Sequence, residues 1–327
     1  VCDCQSAVIA PDKIGAASHC RLLGEKTTPQ SANCKAAMSL TSKAGEAGVN
    51  RFHGRFLWYE LITTDPKAAK AFYTEVVGWR LREAAPEMAY SLFMAGEQPV
   101  CGLTELPTDA RAAGLRPHWI GSVGADDIDA AAAKIARLGG VVHIPPTDVA
   151  NVSRFSLVAD PQMAAFSLFK WQDPEHELPP EPNIAGGVGW HDLLTTDCEN
   201  AFAFYRELFG WQKAATDPDT TGAYQVFSNG EQMIGGIFTK PATEPTPFWL
   251  FYFTTADIDA AAQRVGAGGG QILEGPSVFA GDMRVVRCVD PQGAMFALTG
   301  IRSKKSIGYF KPSTSSDPSA SRLFGRK

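Results

Sequence analysis

Two short segments pair an indole with a carboxylate: Trp58-Tyr59-Glu60 and Trp190-His191-Asp192. In an extended strand, residues two apart lie on the same face, so each Trp and its acid would look into the same space. A carboxylate so placed could act as a general base or anchor a ligand. It could also be half of an internal ion pair, and a partner for each acid can be named. Arg154 and Arg284 stand six residues before Asp160 and Asp290, at equivalent places in the chain, and a buried carboxylate needs such a cation. Trp58 and Trp190 read either as stacking platforms for a flat or sugar-like ligand or as large side chains that fill the mouth of a cleft.

Histidines offer little to a metal ion. His118 opens a strand-like run, but Phe248 replaces it in the corresponding later run. His191 alternates with Trp190 and so points away from the cleft. His53, His143 and His176 read as surface or connecting residues. Cys2, Cys4, His19 and Cys20 cluster near the start in a spacing that matches none of the usual zinc patterns. Cys101 and Cys288 sit in apolar runs where a thiol packs as a small hydrophobe. No disulfide framework is expected, and a reducing cytoplasm is the expected compartment.

The elements that would hold these residues come in duplicate. WYELITTDPKAAKAFYTEVVGW (58–79) aligns without a gap on WHDLLTTDCENAFAFYRELFGW (190–211), with twelve of twenty-two positions identical. GEQ, DIDAA and DPQ each recur in the same order at 96 and 230, 127 and 257, 160 and 290. A repeat of roughly 130 residues is too long for a solenoid unit and is the size of a small domain. Within a copy, a strand over 56–63 leads to Asp65 as helix N-cap, Pro66 as first helical residue and Gly78 as stop. Ala69, Phe72, Tyr73 and Val76 form one helical face. Strands follow around 90–94 and 100–106. The second half of the copy repeats the scheme: a strand over 118–123, a helix capped by Asp126 or Asp127, and strands near 141–144, 155–158 and 165–169. The chain is thus four βαβββ modules, of α+β class, in two domains at 53–171 and 188–302. Helices lie outside, and a curved mixed sheet encloses a cleft in each domain. Residues 1–52 read as a disordered extension, 172–187 as a Pro- and Glu-rich linker, and 303–327 as a loose tail with Tyr309 and Phe310 able to dock. The duplication implies that the two domains pack as a pseudo-dimer.

This pattern resembles the vicinal oxygen chelate superfamily, which includes glyoxalase I, extradiol dioxygenases and bleomycin- and fosfomycin-resistance proteins. The resemblance rests on AFYTEVVGW, DDIDAAAAKIARLGG and the closing DPQ-x-A-x-F-x-L, and it covers nearly all of the patterned chain. It implies a divalent metal held by a His in the first strand of a module pair and a Glu in the last. Here those places hold Trp58 and Trp190, and Ser167 and Ala297. An indole is a donor only and an alanine offers nothing, so the expectation is no cofactor, with a rebuilt metal site disfavoured.

Bulk properties narrow the partners. A net charge of −5 argues against nucleic acid, and no apolar run approaches the length of a membrane span. Two functions stay open. One is a metal-free binder of a small molecule, with Trp58, Glu60, His118, Arg154, Ser167, Trp190, Asp192 and Arg284 as candidate ligand contacts. The other is a lyase, isomerase or oxygenase with Glu60 or Asp192 as base. A variant of either reading gives one copy the ligand and the other an architectural role.

Overall fold

The computed structural model describes residues 51–85, 90–176, 178–179, 184–214, 224–242, 244–280 and 282–302. The expectations for the extension, the tail and the early Cys/His cluster lie outside these residues.

The first copy runs β1 (Phe56–Thr63), α1 (Pro66–Val77), β2 (Arg80–Ala85), β3 (Tyr90–Ala95), β4 (Gln98–Glu105), a short α2 (Thr108–Ala112), β5 (His118–Gly124), α3 (Ile128–Arg137), β6 (Val141–Val149), β7 (Ser153–Ala159) and β8 (Ala165–Trp171). The second runs β9 (Val188–Thr195), α4 (Cys198–Phe209), β10 (Gln212–Lys213), β11 (Tyr224–Asn229), β12 (Gln232–Thr239), β13 (Phe248–Thr255), α5 (Ile258–Ala267), β14 (Gln271–Ala280), β15 (Met283–Val289) and β16 (Met295–Ile301). Each copy forms one eight-stranded mixed sheet, ordered β2-β3-β4-β1-β5-β8-β7-β6 and β10-β11-β12-β9-β13-β16-β15-β14. Two βαβββ modules are therefore joined edge to edge through an antiparallel β1–β5 or β9–β13 pair. No helix among the described residues is long and apolar enough to cross a membrane.

Local chemistry sets the helix ends. Asp65 accepts the Ala68 N–H at 3.0 Å, Pro66 occupies the first turn, and Gly78 closes α1 in the left-handed region at φ 86°. Asp127, rather than Asp126, caps α3 by accepting the Ala130 N–H. The short α2 was not anticipated, since five residues are too few to show a helical period.

The face of each sheet turned away from the cleft carries the helices of its own copy and packs, together with them, against the other copy. Helix α1 packs against α5, α3 against α4, and β5 against β13, so a single hydrophobic core runs through both halves. The contacts are reciprocal. Tyr73 donates to the Asp290 carboxylate and Tyr205 to that of Asp160, both at 3.1 Å. Trp79 Nε1–H donates to the Gly186 carbonyl and Trp211 Nε1–H to that of Gly54, both at 2.8 Å. Where the two first strands meet, Tyr59 Oη lies 2.6 Å from Nε2 of its own counterpart, His191. A residue touching its equivalent is what a twofold axis produces, so the duplicated chain has the interface of an isologous dimer. The DPQ segments also anchor this interface through Asp160 and Asp290.

His191 is 7% exposed and accounts for a pH dependence. Its Nδ1 lies 2.6 Å from the Ile234 carbonyl, and burial pushes its pKa down to about 4, against the opposing pull of that carbonyl. The unfolded chain, with an ordinary imidazole, takes up a proton between about pH 6.5 and 4 that the folded protein refuses. Stability should therefore fall as pH drops through that window, by on the order of 3 kcal/mol from this group. Denaturation midpoints measured from pH 7 to 4 should show this slope, and His191→Gln should flatten it.

Candidate functional site

In the first copy the concave side of the sheet encloses a cavity of about 540 Å³. All eight strands of the copy contribute to its walls, five of them by alternation. Trp58, Glu60 and Ile62 come from β1, Ile120 and Ser122 from β5, and Ser153, Phe155 and Leu157 from β7. Ser167, Phe169 and Trp171 come from β8, and Tyr90 and Leu92 from β3. The connecting segment after β8 lies across the mouth and contributes Asp173, Glu175, His176, Leu178 and Pro179. It is pinned where Arg51 donates to the carbonyls of Pro174 and His176 and where the His176 ring stacks on Trp171 at 3.7 Å.

Glu60 sits on the wall and is 8% exposed. Its Oε2 accepts from Tyr90 Oη at 3.0 Å and from Trp58 Nε1 at 3.2 Å. Oε1 is buried with no hydrogen-bond partner. Burial raises its pKa to about 7, against the pull of the Tyr90 and Trp58 hydrogen bonds. A second orphan belongs to another lining residue: Trp171 Nε1–H is buried and also unpartnered. Buried polar atoms without partners are rare and costly, at about 1–3 kcal/mol each. Gly102 on β4 makes the Glu60–Tyr90 contact possible, because a Cβ there would lie 2.0 Å from Tyr90 Oη and 2.8 Å from Glu60 Oε2.

The second copy has the same frame with different contents. Asp192 accepts from Trp190 at 3.0 Å, from Tyr224 at 2.8 Å and from Tyr252 at 2.5 Å. The Arg287 guanidinium, ion-paired with Glu274 at 3.2 Å, also attracts it electrostatically; burial raises the Asp192 pKa, and these donors and the cation oppose the rise. Leu194, Leu250, Tyr252 and Ala297 pack together, with Trp190, Phe238 and Phe248 against them. Strand register shows what changed between the copies. Tyr252 pairs with Trp190 as Ser122 pairs with Trp58, and Arg287 pairs with Ala297 as Leu157 pairs with Ser167. A serine and a leucine in the first copy thus stand where a tyrosine and an arginine fill the second.

Several sequence-derived candidates are placed elsewhere. Arg154 does not pair with Glu60; it binds Asp129 at 2.8 Å and Asp148 at 2.9 Å on the outside. Arg284 shares a face of β15 with the core residues Val286 and Cys288, opposite Arg287. The alternation rule that assigned Trp58 and Glu60, applied to β7 and β15, would have selected Leu157 and Arg287 instead. His118 heads β5 beyond the cavity wall, with Nδ1 2.7 Å from the Arg116 carbonyl. Ser167 is on the wall, where its hydroxyl donates to the Ser156 and Leu168 carbonyls. Tyr90 recurs as Tyr224, six residues before each GEQ, a repeat signal that pointed to it; Trp171, matched by Ile301, and the mouth segment had none, because they differ between the copies.

A family model described as Glyoxalase/Bleomycin resistance protein/Dioxygenase superfamily matches residues 55–168 and 187–298. The chain belongs to this superfamily. Among its relatives, "Putative glyoxylase CFP32" of Mycobacterium bovis is 32% identical over 244 residues, 74% of this chain and 92% of that protein. The "Anthracycline biosynthesis protein DauV" of Streptomyces sp. is 27% identical over 264 residues, 75% of this chain and 92% of that one. A Mn(II)-bound glyoxalase from Novosphingobium aromaticivorans shares the fold at TM-score 0.53 and 18% identity, covering 76% of this chain and 82% of that one. A variant of homoprotocatechuate 2,3-dioxygenase from B. fuscum does so at TM-score 0.55 and 15% identity, covering 77% and 72%. The superfamily's metal needs several imidazole and carboxylate ligands around open positions. The donors present do not fit it: the cavity offers the Glu60 carboxyl beside indoles and hydroxyls, with Asp173, Glu175 and His176 on the connecting segment, and no group of three His, Cys, Asp or Glu able to share an ion occurs among the described residues.

Proposed function

We propose that this member of the superfamily binds a small, flat, largely apolar molecule in the cavity of its first copy and does so without a metal ion. The carrying observation is the contrast between Glu60, whose Oε1 is buried and unpartnered beside a cavity of about 540 Å³, and Asp192, saturated in a packed counterpart. A pocket of that size, walled by Trp58, Phe155, Phe169 and Trp171 and carrying few polar groups, is what small-molecule sites share. The second copy then serves the architecture by completing the hydrophobic core that the two copies share. Membranes and nucleic acids have no part in this reading.

The value near 7 supports a second reading, since Glu60 is suited to exchange a proton with a bound substrate near neutral pH. The glyoxylase name printed for the mycobacterial relatives is in keeping with a lyase or isomerase of this kind. Asp192, tied to three donors, is not suited to that role.

The metal-free reading is tested by elemental analysis of protein purified without chelator. Zinc, iron, nickel and manganese should each be well below one equivalent, and acridine binding, followed by tryptophan quenching, should be unchanged by EDTA. A stoichiometric metal, lost together with binding, would sink it. The enzymatic reading requires Glu60→Gln to abolish turnover while the variant stays folded.

A further inference from the structure

The two copies form an internal comparison in which the second shows what completes the carboxylate of the first. Asp192 has three hydrogen-bond donors, an indole N–H and two tyrosine hydroxyls, and lies in the field of the Arg287 guanidinium, which itself pairs with Glu274 at 3.2 Å. Glu60 keeps the counterparts of two of these, Trp58 and Tyr90, and both go to Oε2. The other two positions, Ser122 and Leu157, have lost the hydroxyl donor's reach and the cation, and both line the cavity. The missing partners of Oε1 are therefore a donor and a positive charge, and the empty space lies where they would be. The remaining charges agree. Among the described residues that line the cavity none is Lys or Arg, whereas Asp173 and Glu175 add negative charge at the mouth. The aromatic walls present π faces, which attract cations.

We propose that the ligand carries a basic nitrogen, so that its ammonium or protonated ring takes the place that Arg287 and Tyr252 hold in the second copy and pairs with Glu60. This names the ligand class of the cavity and rests on the reading that the cavity is a ligand site. The ligand is a flat apolar cation: anions are repelled by Glu60, Asp173 and Glu175, and neutral rings gain the walls but not the carboxylate.

The test uses the full chain and three probes of similar shape at about pH 8: 9-aminoacridine, a cation; acridine, neutral at that pH; and anthracene-9-carboxylate, an anion. Binding is followed by tryptophan quenching. The cation should bind at least about tenfold more tightly than the neutral ring, as expected for a hydrogen bond to a charged group, and the anion most weakly. In Glu60→Gln the preference should shrink to about twofold or less. Leu157→Arg, which supplies an internal cation, should remove it by an independent route. The groups facing Glu60 are Tyr90 on β3, Cys101 on β4, and Asp173, Glu175 and His176 on the mouth segment. Cation affinity should rise with pH through about 7 in the wild type, and this rise should be lost in Glu60→Gln. Equal affinity for cation and neutral ring in the wild type, or a preference that survives both variants, would overturn the inference while leaving the ligand site intact. Failure of all three probes to bind would overturn the ligand site itself and the inference with it.

Discussion

The double variant Ser122→Tyr, Leu157→Arg is expected to close the first cavity and weaken ring binding on the order of a hundredfold or more. Both side chains already coexist with this frame in the second copy, where Tyr252 and Arg287 occupy the equivalent strand positions. A tyrosine ring at 122 would exclude three or more ring carbons of any ligand. At about 0.8 kcal/mol per buried carbon, that loss is on the order of 2–3 kcal/mol, which corresponds to the expected factor. Its hydroxyl would reach toward Oε1 of Glu60 as Tyr252 reaches Asp192, so the variant should melt no lower than the wild type. Acridine titration and a thermal melt on the same sample check both halves of the claim. Unchanged affinity in a folded variant would move the ligand out of this cavity. A lower melting point would mean that Glu60, one methylene longer than Asp192, needs more room than the second copy provides.

Asp160→Ala should be the most damaging single change in the interface between the copies. The Asp160 carboxylate accepts the N–H groups of Gln162 and Ala164, both at 2.9 Å, and the hydroxyl of Tyr205 from the other copy at 3.1 Å. Removal leaves these donors unpaired in a buried place, at a cost of about 3–5 kcal/mol in total. For a body of this size the melting temperature should fall by on the order of 10 °C. Because the hydrophobic core is continuous through both copies, far-UV ellipticity and tryptophan fluorescence should still report one transition. Asp160→Asn retains an acceptor for the backbone donors and should cost less than half as much. Two separated transitions in Asp160→Ala would show that the copies are stable apart and that the shared core contributes little.

The four-module fold was legible because its signals are local or repeated. Asp65, Pro66 and Gly78 act on their own turn of helix, and Trp58–Trp79 announces its own copy at 190–211. Alternation placed Trp58, Glu60 and Ser167 on one wall. It was not carried through for Arg154, where spacing from Asp160 was weighed above pleat parity, and the outward ion pair with Asp129 and Asp148 corrects that choice.

Sequence alone determined that each copy carries a Trp-x-acid strand in a duplicated α+β fold, because period-2 and period-3.6 patterns are properties of neighbouring residues. The tertiary structure decided what the two strands are for. Whether an acid is saturated or left open depends on side chains from β3, β5, β7 and the mouth segment that meet only when the sheet curves. Ser122 and Leu157 against Tyr252 and Arg287 are unremarkable substitutions in a one-dimensional alignment. In three dimensions they separate a cavity with an unpartnered carboxyl oxygen from a packed cluster around a fully hydrogen-bonded acid.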